Sequence, residues 1–309
     1  MTDQNDEKYA KAAKQSRRDL LGFIVIVVII IAADFVYLNS APSSASPVLK
    51  KSPLSISAFD AEPSTESLEI LEALVQRHDA TVRSIKEQVD FFEKDSSAQA
   101  AAKALQDTTR KLLHKRYGMQ EPYRVAVDLE FQDTMPDFAE NGKQGSFVIE
   151  LAPSSLQPHS IYTFLEVSRQ WKEGGAFHRI APHVLQVMVK THSKIQHLAF
   201  QEYSPEYPHK ERTVGYAGRP SGPAWYVSII DNSRNHGPGS QQKRNPYEAD
   251  SCFGTVIDGW DSVIRITKVQ GEGFLSDANK HVLIKTMTIQ TPSAGGDGSY
   301  VAWHDAEGT

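Results

Sequence analysis

The sequence predicts a mainly β protein, an eight-stranded antiparallel barrel capped by two helices, preceded by an N-terminal transmembrane helix and a helical stem. Three observations lead there. A long apolar run lies near the N-terminus, a helical repeat of apolar residues follows it, and beyond Gly118 short alternating runs are separated by turn residues. The chain divides accordingly into a tail (1–19), a transmembrane signal-anchor (20–38), a flexible linker (39–63), a helical stem (64–117), a barrel domain (123–291) and a disordered tail (292–309).

Leu20 to Ala33 is uninterrupted apolar or small sequence; Asp34 breaks it and Phe35-Val36-Tyr37-Leu38 resumes it. Crossing a bilayer takes about 20 residues, so the run spans only by continuing past Asp34. A carboxyl group costs roughly 2.5–3.5 kcal/mol at mid-membrane and less near the interface, which the Ile/Val run offsets. Lys8, Lys11, Lys14, Arg17 and Arg18 precede the run, and no further cation appears until Lys50. The positive-inside rule then sets residues 1–19 in the cytosol. This predicts a single-pass type II membrane protein of the endoplasmic reticulum or Golgi, with its C-terminal domain in the lumen. A cleaved signal peptide has the same charge order, with Ser43-Ser44-Ala45 as a cleavage site, and a buried core helix is a third reading.

Residues 39–63 are rich in Ser, Pro and Ala and cannot bury enough apolar surface to fold, so they read as a tether. Helical periodicity then begins, with Ser64 or Thr65 as cap. Leu68, Leu71, Val75, Val82, Ile85, Val89 and Phe92 recur at three-four spacing, with His78 in the one polar slot, as in the a/d seam of a coiled coil. Lys94-Asp95-Ser96-Ser97 interrupts the pattern, and a second helical stretch runs over 98–116. Such a stem either pairs two chains in self-association or folds as a hairpin on itself or against the barrel. Periodicity leaves both open.

The strands expected are 124–132, 146–151, 176–180, 183–189, 213–216, 224–230, 252–257 and 281–290. One helix follows Pro158 and a shorter one starts near Gly259. Eight strands and two helices in this order suggest a closed antiparallel barrel with helical caps. A net charge of -5 gives no electrostatic reason to expect nucleic acid. The lone Cys252 excludes a disulfide framework and a multi-cysteine metal site, and its apolar setting reads as core.

Three segments sharpen the reading. Gly175-Ala176-Phe177-His178-Arg179-Ile180 with Pro182, then Gly222-Pro223-Ala224-Trp225-Tyr226-Val227, then Ser251-Cys252-Phe253-Gly254-Thr255-Val256-Ile257-Asp258-Gly259 follow one another at consistent separations. In order and spacing over 123–291 they resemble the cyclophilin-type peptidyl-prolyl cis-trans isomerases, as a divergent, membrane-anchored member. The resemblance implies an activity on Xaa-Pro bonds of client proteins, with proline-containing peptide segments as partners. Rotating such a bond needs no nucleophile, so neither a metal nor a cofactor is expected. The barrier of roughly 18–20 kcal/mol is amide resonance. A catalyst needs a pocket for the proline ring and a donor matched to the twisted amide. Arginine suits the second task because it is always charged and presents a rigid fork of N–H groups.

By this resemblance Arg179 is the catalytic residue. Phe177, His178, Leu185, Gln186, Ala217 and Tyr226 form the substrate-binding wall, with Tyr226 flooring the proline pocket and His178 supporting from beneath. The sequence also departs from the family. Gln186 arrives one residue early, so it takes the family glutamine's role only if the strand shifts. Ala224 stands where a second glutamine is usual, Ala217-Gly218-Arg219 replaces an Ala-Asn-Ala segment, and Asn245–Asp250 lacks the family's tryptophan and pocket histidine. Each lost hydrogen bond is worth roughly 1 kcal/mol, which implies a degenerate site of low turnover. The alternative is a non-catalytic module that binds Pro-containing segments. A lumenal transferase shares the anchor-stem-domain layout, but no nucleotide-binding motif or Asp-x-Asp pair supports it.

The remaining motifs carry less. The Gly/Pro-rich loop 235–241 reads as surface, or as a reshaped groove with His236 on a ligand. His192, His197 and His209 lack metal-ligand spacing, and Gly215, Gly218 and Gly222 lack the helix start of a phosphate cradle.

Overall fold

A computed structural model describes residues 65–171, 175–190, 195–241 and 244–305, with side chains from Leu68 onward. The anchor, linker and cytosolic tail expected over 1–63 lie outside the described residues. Among those described, no helix is long and apolar enough to cross a membrane.

The stem is a helical hairpin. Helix α1 (Thr65–Lys86) and helix α2 (Ser96–Tyr117) are joined by a 3-10 turn at Phe92–Lys94. Asp95 caps α2 by accepting from the Ala98 N–H at 2.9 Å. The apolar seam is consumed inside the chain: Val75, Val82, Ile85 and Phe92 are buried, and Phe92 stacks on Phe200 of the barrel domain. The hairpin folded against the barrel, one of the two arrangements that periodicity allows, is present. His78 sits at the half-buried rim of the seam.

Eight strands close the barrel: β1 (Arg124–Glu130), β2 (Gln144–Leu151), β3 (Ala176–Ile180), β4 (Val184–Met188), β5 (Thr213–Tyr216), β6 (Trp225–Ser228), β7 (Cys252–Asp258) and β9 (Val282–Pro292). They run in the order β9-β1-β2-β7-β5-β6-β4-β3, and β3 pairs back onto β9 through Ala176↔Leu283 and Phe177↔Val282, so no edge of this cycle is left open. Two short strands hang outside it. β8 (Gly273–Phe274) adds to β3, and β10 (Tyr300–Ala302) adds to β9.

Alternation does most of the work. Val125, Val127 and Leu129 of β1 point inward and alternate with Arg124, Ala126, Asp128 and Glu130. In β9 the inward set changes phase, from Val282 and Ile284 to Met287 and Ile289, because a register shift opposite Asp128 and Leu129 makes Lys285 an extra residue. The barrel is filled by aromatic rings, Phe177 lying 5.8 Å from Trp225 and 6.3 Å from Phe147. Helix α3 (Pro158–Arg169) begins just beyond β2 and contributes Phe164, edge-on to Trp225 at 5.5 Å. Helix α4 (Trp260–Ile266) leaves β7 beside the start of β2, so the two helices serve opposite barrel ends. The turn before α4 requires Gly259: its φ is +70°, and a Cβ there would lie 2.2 Å from the Ser146 carbonyl oxygen.

The expectation of a disordered tail over 292–309 is corrected for 292–305; residues 306–309 lie outside the described residues. Tyr300–Ala302 pairs with β9, Arg124 lies 3.7 Å from the Tyr300 ring centre, and Trp303 rests on Tyr117 at 4.7 Å while donating to the Arg116 carbonyl at 3.2 Å. Gly295-Gly296-Asp297-Gly298 is therefore a hairpin turn. The tail fastens the stem to the barrel. We expect Trp303→Ala to lower unfolding free energy by about 2 kcal/mol, less than for a fully buried Trp. Urea denaturation checks this, and an unchanged midpoint would show the tail to be dispensable.

Candidate functional site

Arg179 lies on β3 at a β-bulge. Strand β3 pairs with β4 as Phe177↔Val187 and then Arg179↔Gln186, leaving His178 as the extra residue. That single slip has two effects. It keeps Phe177 and Ile180 in the core while His178 and Arg179 both stay half-buried outside it, and it sets Gln186 directly across from Arg179. The Arg179 Nη1 donates to Gln186 Oε1 at 3.1 Å. The register shift lies on β3, between Phe177 and Arg179. The guanidinium also lies 5.2 Å from the ring centre of Phe274, which β8 carries opposite Arg179 and which is 68% exposed. No carboxylate pairs with Arg179 among the described residues.

The row continues across the wall. Gln186 pairs with Tyr226 of β6, and Tyr226 with Gly215 of β5. Gly215 is needed there, because a Cβ would approach the Tyr226 hydroxyl to 2.8 Å. Tyr226 packs outside the barrel with Ala181 and Val184, and Ala217 lies against this cluster. Of the expected wall, the structure therefore brings Arg179, Gln186, Tyr226 and Ala217 to one face. Phe177 and Leu185 are corrected: both are fully buried in the barrel interior and cannot touch a peptide on the outside. His178 is half-buried, with its ring 5.5 Å from that of Phe274.

Tyr226 is not an open floor. It is 2% exposed, because the one-turn helix Ser233–His236 lays the His236 ring over it at 4.5 Å. The reading of 235–241 as a surface loop is corrected at this residue, which is 6% exposed. A charge network holds His236 down. Its Nδ1 is 2.6 Å from Asp250 Oδ2, Asp250 Oδ1 is 2.7 Å from Arg219 Nη2, and Arg219 Nη1 is 2.9 Å from Glu248 Oε2. Lys86 of α1 completes the chain at 3.3 Å from Glu248. His209 closes the other side, its Nε2 donating to the Asp250 carbonyl at 3.0 Å, with its Nδ1 3.4 Å from the Tyr226 hydroxyl. Sequence reading found Arg179 and Tyr226 but missed Asp250, Arg219 and His236 as one unit. Three ionisable residues in the loops on either side of β6 were the available signal.

Burial sets the protonation here. It pushes the Tyr226 phenol well above its ordinary range and lowers His209 to about 4. It also lifts the Cys252 thiol to about 12, in keeping with a core residue and not a nucleophile. No cluster of three or more metal-ligating side chains occurs among the described residues. No protein-family model matches the sequence, and no curated protein matches it.

The pH consequence follows from linkage. His159 on α3, like His209, is lowered to about 4 by burial. A histidine held neutral in the fold contributes stability that is present above pH 6.5 and is lost as pH falls towards 4, on the order of 2–3 kcal/mol each. Glu202, whose buried carboxyl is raised, acts in the opposite sense. We expect urea midpoints to fall between pH 6.5 and 4.5, and His209→Gln to flatten the decline. Equal slopes for the two proteins would contradict the placement of His209.

Proposed function

We propose that the barrel is a cyclophilin-like module that holds extended, Pro-containing peptide segments against the β3–β4–β6 wall and turns over Xaa-Pro bonds weakly or not at all. The observation that carries this reading is the filled hollow over Tyr226. A pyrrolidine ring needs an apolar recess beside the arginine, and His236 takes that space from within the chain. What the wall still offers is a guanidinium that no carboxylate among the described residues pairs with, a glutamine beside it and an exposed aromatic ring at Phe274. Arginine and glutamine donate to peptide carbonyls, and an exposed ring gives a flat apolar seat.

The Arg179–Gln186 pair favours a second reading, a working isomerase, since it joins the arginine the resemblance assigns to the twisted amide and a glutamine it assigns to the substrate wall. On either reading the residues 20–38 tether the module to a membrane with the barrel in the lumen of the secretory pathway. That placement rests on the apolar run and on the lysines and arginines before it.

A protease-coupled assay on Xaa-Pro peptides, run with fluorescence-anisotropy binding, separates the two. We expect isomerisation at the uncatalysed rate with both the wild type and Arg179→Ala, and peptide affinity at least about 10-fold weaker in the variant, as loss of a charged hydrogen bond implies. Acceleration by the wild type that Arg179→Ala abolishes would install the isomerase reading instead. Binding that ignores Arg179 would remove both.

A further inference from the structure

A second site lies away from the barrel wall. Helices α1 and α3 both rest on α2, and between them runs a cleft of about 940 Å³ floored by Leu112 and Arg116 of α2. From Glu72 to Arg83 its α1 side rises about 16 Å at roughly 1.5 Å per residue. The charged residues along it neutralise one another. Arg83 pairs with Asp79 at 2.6 Å, Arg116 with Glu166 at 2.7 Å and with Glu72, and Arg169 with Glu166 at 2.7 Å. Three guanidiniums thus face three carboxylates, and the cleft presents no net charge to a ligand.

One lining group has no hydrogen bond among the described residues. The His159 side chain is 8% exposed, its ring stacks on Phe200 at 6.3 Å, and its Nε2 lies 3.7 Å from Asp79 Oδ2, beyond hydrogen-bond reach. Burial lowers this histidine to about 4, so near neutral pH it is uncharged and offers one donor and one acceptor. A buried polar group left without a hydrogen bond is destabilising, and a ligand in the cleft would relieve that. Gln76, Gln170 and Gln196 line the cleft from three separate segments and carry uncharged amide donors and acceptors, with Gln170 Nε2 already donating to Glu166 at 3.2 Å. Val75 and Leu112 supply apolar surface, and the small Ala80 allows close approach on the α1 side.

Paired donors and acceptors, no net charge and a length of about 16 Å match a polypeptide backbone. At roughly 3.3 Å per residue an extended strand would place about five residues in the cleft. We propose that this interhelical cleft is a second peptide-binding site, which takes an uncharged, extended segment of a partner protein through its main-chain amides. It uses none of the residues on the barrel wall, so it stands independently of the function proposed there.

The test is selection of random ten-residue peptides displayed on phage against the purified full chain, followed by anisotropy with the enriched sequences. We expect uncharged sequences to be enriched. Their binding should weaken at least 10-fold on Ala80→Trp, which fills the cleft from an exposed helix position, and on His159→Phe, which keeps the ring volume and removes its polar atoms. Arg179→Ala should bind them as the wild type does. Gln76→Trp, also exposed, serves if either variant loses its near-ultraviolet circular dichroism. No enrichment above bare support would mean that His159 meets only water and would overturn the proposal. Enriched peptides that bind the cleft-filling variants unchanged, or that lose binding in Arg179→Ala, would overturn it as well.

Discussion

The carboxylate of Asp250 is the constraint around which the candidate site is organised. It is 1% exposed, and an uncompensated buried charge costs several kcal/mol. Arg219, His236 and Gln241 all lie within 3.1 Å of its oxygens. Those contacts fix where His236 sits, and His236 in turn covers Tyr226. A face that could have been a pocket is therefore a packed, partly charged surface. The network extends through Glu248 to Lys86 on α1, so the stem also braces it.

The barrel beneath supplies a different kind of constraint. Strand pairing has a period of two, and a single extra residue changes which side chains face out. At His178 that extra residue makes Arg179 and Gln186 neighbours although their sequence offset is one short of the family spacing. The bulge is legible in retrospect. Phe177 and Ile180 are both buried three residues apart, a spacing that uninterrupted alternation does not allow. The same signature marks β9 around Lys285.

The eight barrel strands and both capping helices were readable because the strands are short apolar or alternating runs bounded by turn residues and each helix starts at a recognisable Pro or Gly. The hairpin stem was readable as helices but not as an arrangement, since an a/d seam serves an intramolecular partner as well as a second chain. The two short strands were not readable: Gly273–Phe274 and Tyr300–Ala302 have no room for a pattern, and they exist because β3 and β9 offer them hydrogen-bonding edges. Arg179, Gln186 and Tyr226 came from the resemblance together with their strand positions. The plug did not, because it depends on Asp250 and His236 meeting in space across a 14-residue separation that no local pattern encodes.

The central claim, that the ring of His236 occupies the hollow over Tyr226, is tested most directly by site-resolved nitration with tetranitromethane, read by mass spectrometry. Exposed Tyr247 serves as the reactive reference and buried Tyr216 as the protected one. The account predicts that Tyr226 resists nitration in the wild type as Tyr216 does, and becomes reactive in His236→Ala. Wild-type Tyr226 reacting as fast as Tyr247 would mean that the hollow is open, and the account would be wrong.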